Sequence, residues 1–168
     1  MEEVECSGTM RGTTVSWGRV AIQGVVAGLV GAALIDGYLW ATTLLPQHAG
    51  IASLWRWIAS AVLGKSAFGN PSAAAIGALV HGLVSIGWAA GYAYIAATRP
   101  ATTHRWLVAG IVYGLIVYVI MQAILLADNN FTFPPNPNAF VNAVLAHTIF
   151  FGLPVALVVH VMRSRQPA

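Results

Sequence analysis

Four long runs of the chain carry almost no polar break: residues 20–45, 72–97, 106–127 and 139–162 are built of small, aliphatic and aromatic side chains. A helix rising 1.5 Å per residue needs about 20 residues to cross a bilayer core of about 30 Å, and each run is at least that long. None alternates apolar and polar positions with the two-residue period of a barrel strand, so each backbone is expected to satisfy its own hydrogen bonds as a helix. The pattern predicts an all-α integral membrane bundle of four transmembrane helices, with 1–168 a single membrane domain and 1–18 a cytoplasmic tail.

The connections carry their own pattern. In "GIASLWRWIASAVLGK" the residues Ile51, Leu54, Trp55, Ile58, Ala61 and Val62 fall on one helical face, over a stretch too short to span. Trp55, Arg56, Trp57 and Lys65 suit a headgroup boundary, which predicts a short interfacial helix over 51–64; a re-entrant segment is the alternative. Such a helix serves either as a lid or partner surface or simply as an anchored connector. The third connection, "DNNFTFPPNPN", has no base, and its prolines cannot continue a helix, so it is expected to be an outward loop. Asn130-Phe131-Thr132 within it fits a glycosylation sequon, which a bacterial chain would leave unused.

Composition agrees with the pattern: mean hydropathy is +0.73, and only 8% of residues are charged. A soluble domain carries roughly a quarter. The pI near 9.4 comes from eight bases, and their placement excludes a nucleic-acid footprint. Arg11, Arg19, Arg99, Arg105, Arg163 and Arg165 flank the runs on one side, whereas Arg56 and Lys65 flank them on the other. Basic residues stay on the cytoplasmic side, so both termini are expected there, in a multi-pass protein of a bacterial inner membrane. The N-terminus opens with glutamates rather than a basic segment before an apolar one, so the first run is expected to remain as a helix. Cys6 is the sole cysteine, which excludes an internal disulfide.

Small residues predict how the helices meet. Gly24/Gly28, Gly87/Gly91 and Gly110/Gly114 are GxxxG pairs that let backbones approach, and Gly152 with Pro154 should kink the last helix. Aligning "ALVHGLVSIG" with "VLAHTIFFG" superposes His81 on His147 and suggests a parallel repeat of two halves.

Within the apolar runs a few polar side chains fall at one depth. Counting inward from the outer ends, Asp36, His81 and His147 each lie about 12–13 Å down, and Tyr118 and Gln122 lie in the same layer. An ionised Asp at that depth costs about 3 kcal/mol, so Asp36 should face the interior and find a partner. Three readings stay open. The layer is a satisfied hydrogen-bond network that pins helix register; or Asp36, His81 and His147 bind a proton or a divalent metal; or His81 and His147 clamp a b-type haem, with Gly77, Gly82 and Gly114 leaving room for the macrocycle. His48, His104 and His160 lie near the boundaries and are not site candidates. Trp17, Trp40, Trp106, Tyr94 and Phe140 read as interface belts. No phosphate loop, nucleophile elbow or HExxH is present, and no catalytic residue is assigned.

The first helix "GLVGAALIDGYLWATTLL", then "HGLVSIGWAAGYAYIAATRP", "YGLIVYVIMQAILL" and a closing "AHTIFFGLPVALVV" give a layout that resembles small bacterial inner-membrane proteins of the YagU-like kind. The resemblance covers most of the chain and implies four membrane helices; it transfers no functional residue. The expected role is a structural or accessory subunit, associating with lipid and with other membrane subunits or itself. A redox or ion-handling subunit is the alternative.

Overall fold

The structure, a computed structural model, describes residues 15–127 and 136–165. All of its regular elements are helical, and four helices are long and apolar enough to cross a membrane: Trp17–Gln47, Ala73–Thr98, Trp106–Leu126 and Pro137–Ser164. The chain is therefore a multi-pass membrane protein of the expected class. The glycosylation sequon and Cys6 lie outside the described residues.

The first span is α1 (Trp17–Leu39), which passes into a π turn at Trp40–Leu44 and a 3-10 turn at Leu45–Gln47. His48 then takes a left-handed conformation, φ 53°, that turns the chain into α2 (Ile51–Leu63). Gly64, also left-handed at φ 60°, ends α2 where a side chain would be strained. The second span is α3 (Ala73–Thr98), followed by the single turn α4 (Pro100–His104) and the third span α5 (Trp106–Ala127). The fourth span is α6 (Pro137–His147), a π turn at Thr148–Gly152, and α7 (Leu153–Ser164).

Each π turn ends two residues before a proline, Pro46 or Pro154. Proline has no N–H to donate and crowds the carbonyl four residues back, and a wider turn ahead of it relieves both. The kink expected at Gly152 and Pro154 is thus built as a π turn. His147 Nδ1 and Thr148 Oγ1 sit 2.8 and 2.7 Å from the carbonyls of Ala143 and Val144, filling the hydrogen-bond ladder where its spacing changes.

Residue size separates the inner and outer faces of the spans. The buried face of α1 is Val20, Gln23, Gly24, Ala27, Gly28, Gly31, Ala32 and Ile35, a stripe at three- and four-residue spacing. Its large residues Ile22, Val25, Leu29 and Leu34 point outward. Lipid is as apolar as leucine, so association depends on close contact rather than on hiding oil from water. Gly24 lies against Ala90, and Gly28 against the backbone of Ile86, which seats α1 on α3. Gly31 faces Phe151 and Val155, which seats it on the fourth span. Gly110 and Gly114 face Gly152, Leu153 and the His147–Thr148 backbone, joining α5 to that same span. The third GxxxG pair does not form such a seam. A Cβ at Gly87 would meet nothing within 4 Å, because the face of α3 that meets α1 runs through Ser85, Ile86 and Ala90 instead. The α3–α5 side is closed by rings: Tyr113 packs edge-on against Trp88 and Tyr92, and its hydroxyl donates to the Trp88 carbonyl at 2.5 Å.

One end of the bundle is tied by Trp17 stacked on Tyr94, and by His160, which lies 3.0 Å from the Thr103 carbonyl and stacks on Trp106. Arg19, Arg99, Arg105, Arg163 and Arg165 belong to the helix termini at this end.

Candidate functional site

The acidic residue expected to need a partner has two. Asp36 projects from α1 one turn before its π turn, and Oδ1 lies 3.1 Å from His81 Nε2 on α3. The contact is an ion pair by distance, and neither atom makes a hydrogen bond among the described residues. Oδ2 accepts a hydrogen bond from the Trp55 indole Nε1 of α2 at 3.1 Å. The three elements meet because small residues let them. Below Asp36, Gly28 holds α1 against α3; Gly77 of α3 lets the Trp55 carbonyl of α2 occupy the space a Cβ would fill. The side chains of His81 and Asp36 keep 19% and 16% of their surface, so the pair is mostly enclosed.

His147 ends α6 beside this pair and within electrostatic range of His81. Its Nδ1 is 2.8 Å from the Ala143 carbonyl. A carbonyl only accepts, so Nδ1 carries a proton, and in the neutral ring Nε2 keeps a lone pair. Tyr118 of α5 packs edge-on to the His147 ring at 5.6 Å and to Phe140 at 5.9 Å. Gln122 keeps a buried Oε1 with no partner among the described residues.

The five expected polar residues thus fall into an Asp36–His81 pair, to which α2 adds Trp55, and a Tyr118–His147 pair, with Gln122 apart. Among the described residues no three His, Cys, Asp or Glu side chains are grouped so as to hold a metal ion. Of the glycines expected to leave room for a macrocycle, Gly77 is filled by the Trp55 backbone and Gly114 by the His147 backbone; Gly82 alone faces open space.

No family model, curated protein or solved structure matches the chain.

A second polar group joins the first and fourth spans and was not anticipated from the sequence. Tyr38 donates through its hydroxyl to Asn142 Oδ1, and Asn142 Nδ2 donates to Thr42 Oγ1 at 3.1 Å and Thr43 Oγ1 at 2.8 Å. Tyr38 also stacks on Phe150 with ring centroids 4.0 Å apart. An amide inside an apolar run, with hydroxyls at the matching level of another run, was the available signal. Polar contacts between membrane helices average about 0.6 kcal/mol and reach about 1.7. Tyr38→Phe should therefore cost about 0.6 kcal/mol, and Asn142→Leu, which removes every bond of the group between the spans, about 1–2 kcal/mol. Both are read by unfolding in mixed micelles with increasing SDS. An Asn142→Leu protein as stable as wild type would show that the group does not tie the spans together.

Proposed function

We propose that this protein is a structural or accessory subunit of a bacterial inner membrane, with no catalysis of its own, whose Asp36 centre locks α1, α2 and α3 in register. One observation carries the reading: the two carboxylate oxygens of Asp36 are engaged by different elements, His81 of α3 and Trp55 of α2. A carboxylate held between two elements resembles a pin that fixes their register more than a receptor. The arginines gathered at the end that carries the N-terminus of α1 and the C-terminus of α7 support an orientation with both termini in the cytoplasm. The large aliphatic residues facing outward support contact with lipid.

Two variants test the lock. Asparagine at position 36 can still accept from the Trp55 indole and present an amide to His81, so Asp36→Asn should stay within about 1 kcal/mol of wild type in SDS unfolding. Leucine leaves both partners unpaired, and Asp36→Leu should lose about 2–4 kcal/mol. Equal losses in the two would show that the charge matters and not the hydrogen-bonding pattern, and the lock would be abandoned.

The lone pair on His147 Nε2 favours a second reading, a proton- or metal-handling subunit, since a ligating histidine commonly donates its other nitrogen to a carbonyl. Protein purified from native membranes, examined by absorbance and metal analysis, decides between them. A Soret band or stoichiometric metal that disappears in His147→Ala would replace the first reading with the second.

A further inference from the structure

The hydrogen bond that α2 gives to Asp36 also fixes which way α2 is rolled. The Trp55 carbonyl lies at Gly77 of α3, whereas the Trp55 indole reaches Asp36, whose partner on α3 is His81, one turn further into the span. The side of α2 that carries Trp55 therefore faces the membrane interior. At about 100° per residue that side also carries Ile51, four residues back, and Ile58 and Val62, three and seven residues on. Ser53 and Trp57, two residues either way from Trp55, fall on the opposite side. Depth along the spans agrees. Asp36 lies 17 residues beyond Arg19 on α1, and His81 lies 17 residues before Thr98 on α3, about 25 Å in each case. A hydrocarbon core about 30 Å thick that begins at the arginine end thus closes just above this level, and α2 lies at its far boundary.

Beneath α2 the wall stays apolar and open. Val84, seven residues from Gly77 and on the same face of α3, is 37% exposed, and on α2 itself Val62 is 63% exposed. Charge selects what covers this surface. Residues 37–72 contain Arg56 and Lys65 but no Asp or Glu. A second copy docking through the same face would bring the same two bases and no acid, whereas a lipid leaflet offers acyl chains below and phosphate oxygens beside them. We propose that α2 is a lipid-bound helix, its Ile51, Ile58 and Val62 side inserted among the acyl chains of the leaflet opposite the arginine end, with Lys65 at the phosphates. A helix of this kind sinks its apolar side about 5–10 Å beneath the headgroups. Trp57, on the upper side, then meets the headgroup layer with its indole N–H. This placement depends on the seat of α2 and not on the role proposed for the chain.

Spin labelling of the full-length protein in liposomes of phosphatidylcholine and phosphatidylglycerol reads the roll directly. Val62→Cys and Ser53→Cys, each in a Cys6→Ser background, place a nitroxide on opposite sides of α2, at positions whose side chains are exposed. Collision with oxygen, which concentrates in the bilayer, is compared with collision with a water-soluble nickel chelate. The oxygen-to-nickel ratio should be on the order of tenfold higher at position 62 than at position 53. Equal ratios overturn the proposal, since α2 would then stand wholly in water or wholly in hydrocarbon, and so does a higher ratio at position 53. A label at position 62 that is shielded from both reagents overturns it as well, because a protein surface and not lipid would then cover that side.

Discussion

Gly77→Ala is expected to lever α2 away from the bundle. A Cβ at position 77 would sit 1.7 Å from the Trp55 carbonyl oxygen, 2.6 Å from its carbon and 3.1 Å from the Ala59 nitrogen. All three are backbone atoms, and no rotamer change can clear them. Overpacking costs about 1–3 kcal/mol where side chains can shift, and a backbone clash should sit at or above the top of that range, about 3 kcal/mol. The damage reaches the site, because displacing the Trp55 backbone withdraws its indole from Asp36 Oδ2. Unfolding in SDS should therefore come earlier, and the connection between the first two spans should become sensitive to protease before the spans themselves. Gly87→Ala is the matched control, since its Cβ would meet nothing within 4 Å and alanine favours helix by up to about 1 kcal/mol. If Gly77→Ala behaves like Gly87→Ala, the seat of α2 on α3 is not as described.

The same residue shows what the sequence could convey about this fold. The number, class and rough limits of the spans follow from hydropathy alone, because a bilayer imposes length and composition on anything that crosses it. Which face of each span turns inward does not. The spans are apolar all round, and the informative contrast is between small and large residues. Read in that way, Gly24, Ala27, Gly28 and Gly31 mark the inner stripe of α1, whereas polarity marks nothing there. The GxxxG spacing identified two true seams, at Gly24/Gly28 and Gly110/Gly114, and overstated Gly87/Gly91, because spacing cannot say which way a stripe points. The π turns were foreshadowed only by Pro46 and Pro154, since hydropathy does not distinguish a π turn from an α turn.

For the site, depth counting brought Asp36 and His81 to within reach, as an inventory of polar residues along antiparallel rods can. It missed Trp55, whose indole seemed sufficiently explained by a headgroup boundary. An amphipathic tryptophan meets that requirement with its ring alone, and nothing in the local sequence shows that its N–H crosses to another helix. That His147 makes its own contacts outside the Asp36–His81 pair was equally illegible. It depends on the π turn, which spends Nδ1 on the Ala143 carbonyl and aims the ring toward Tyr118.

Gly114→Val should be the second severe lesion, for a reason that starts in that π turn. Widening the helix at Thr148–Gly152 pushes the His147 carbonyl and the Thr148 Cα toward α5, where a Cβ on residue 114 would stand 2.3 and 2.7 Å from them. The seam is reciprocal: a Cβ on Gly152 would come within 2.3 Å of the Gly110 oxygen and 2.8 Å of the Gly114 Cα. Only paired glycines let a π turn and a straight helix lie this close, so any side chain at 114 must part α5 from the fourth span. A valine, adding three carbons against backbone, should cost about 3 kcal/mol or more. Because Tyr118 lies one turn along α5 and packs on the His147 ring, the near-ultraviolet circular dichroism of the folded variant should also change. Gly82→Val, whose Cβ would face open space, should alter neither quantity. A Gly114→Val protein with wild-type SDS resistance and an unchanged aromatic spectrum would mean that α5 is held by its rings against α3, and the glycine seam with the fourth span would lose its standing as the main joint of that half of the bundle.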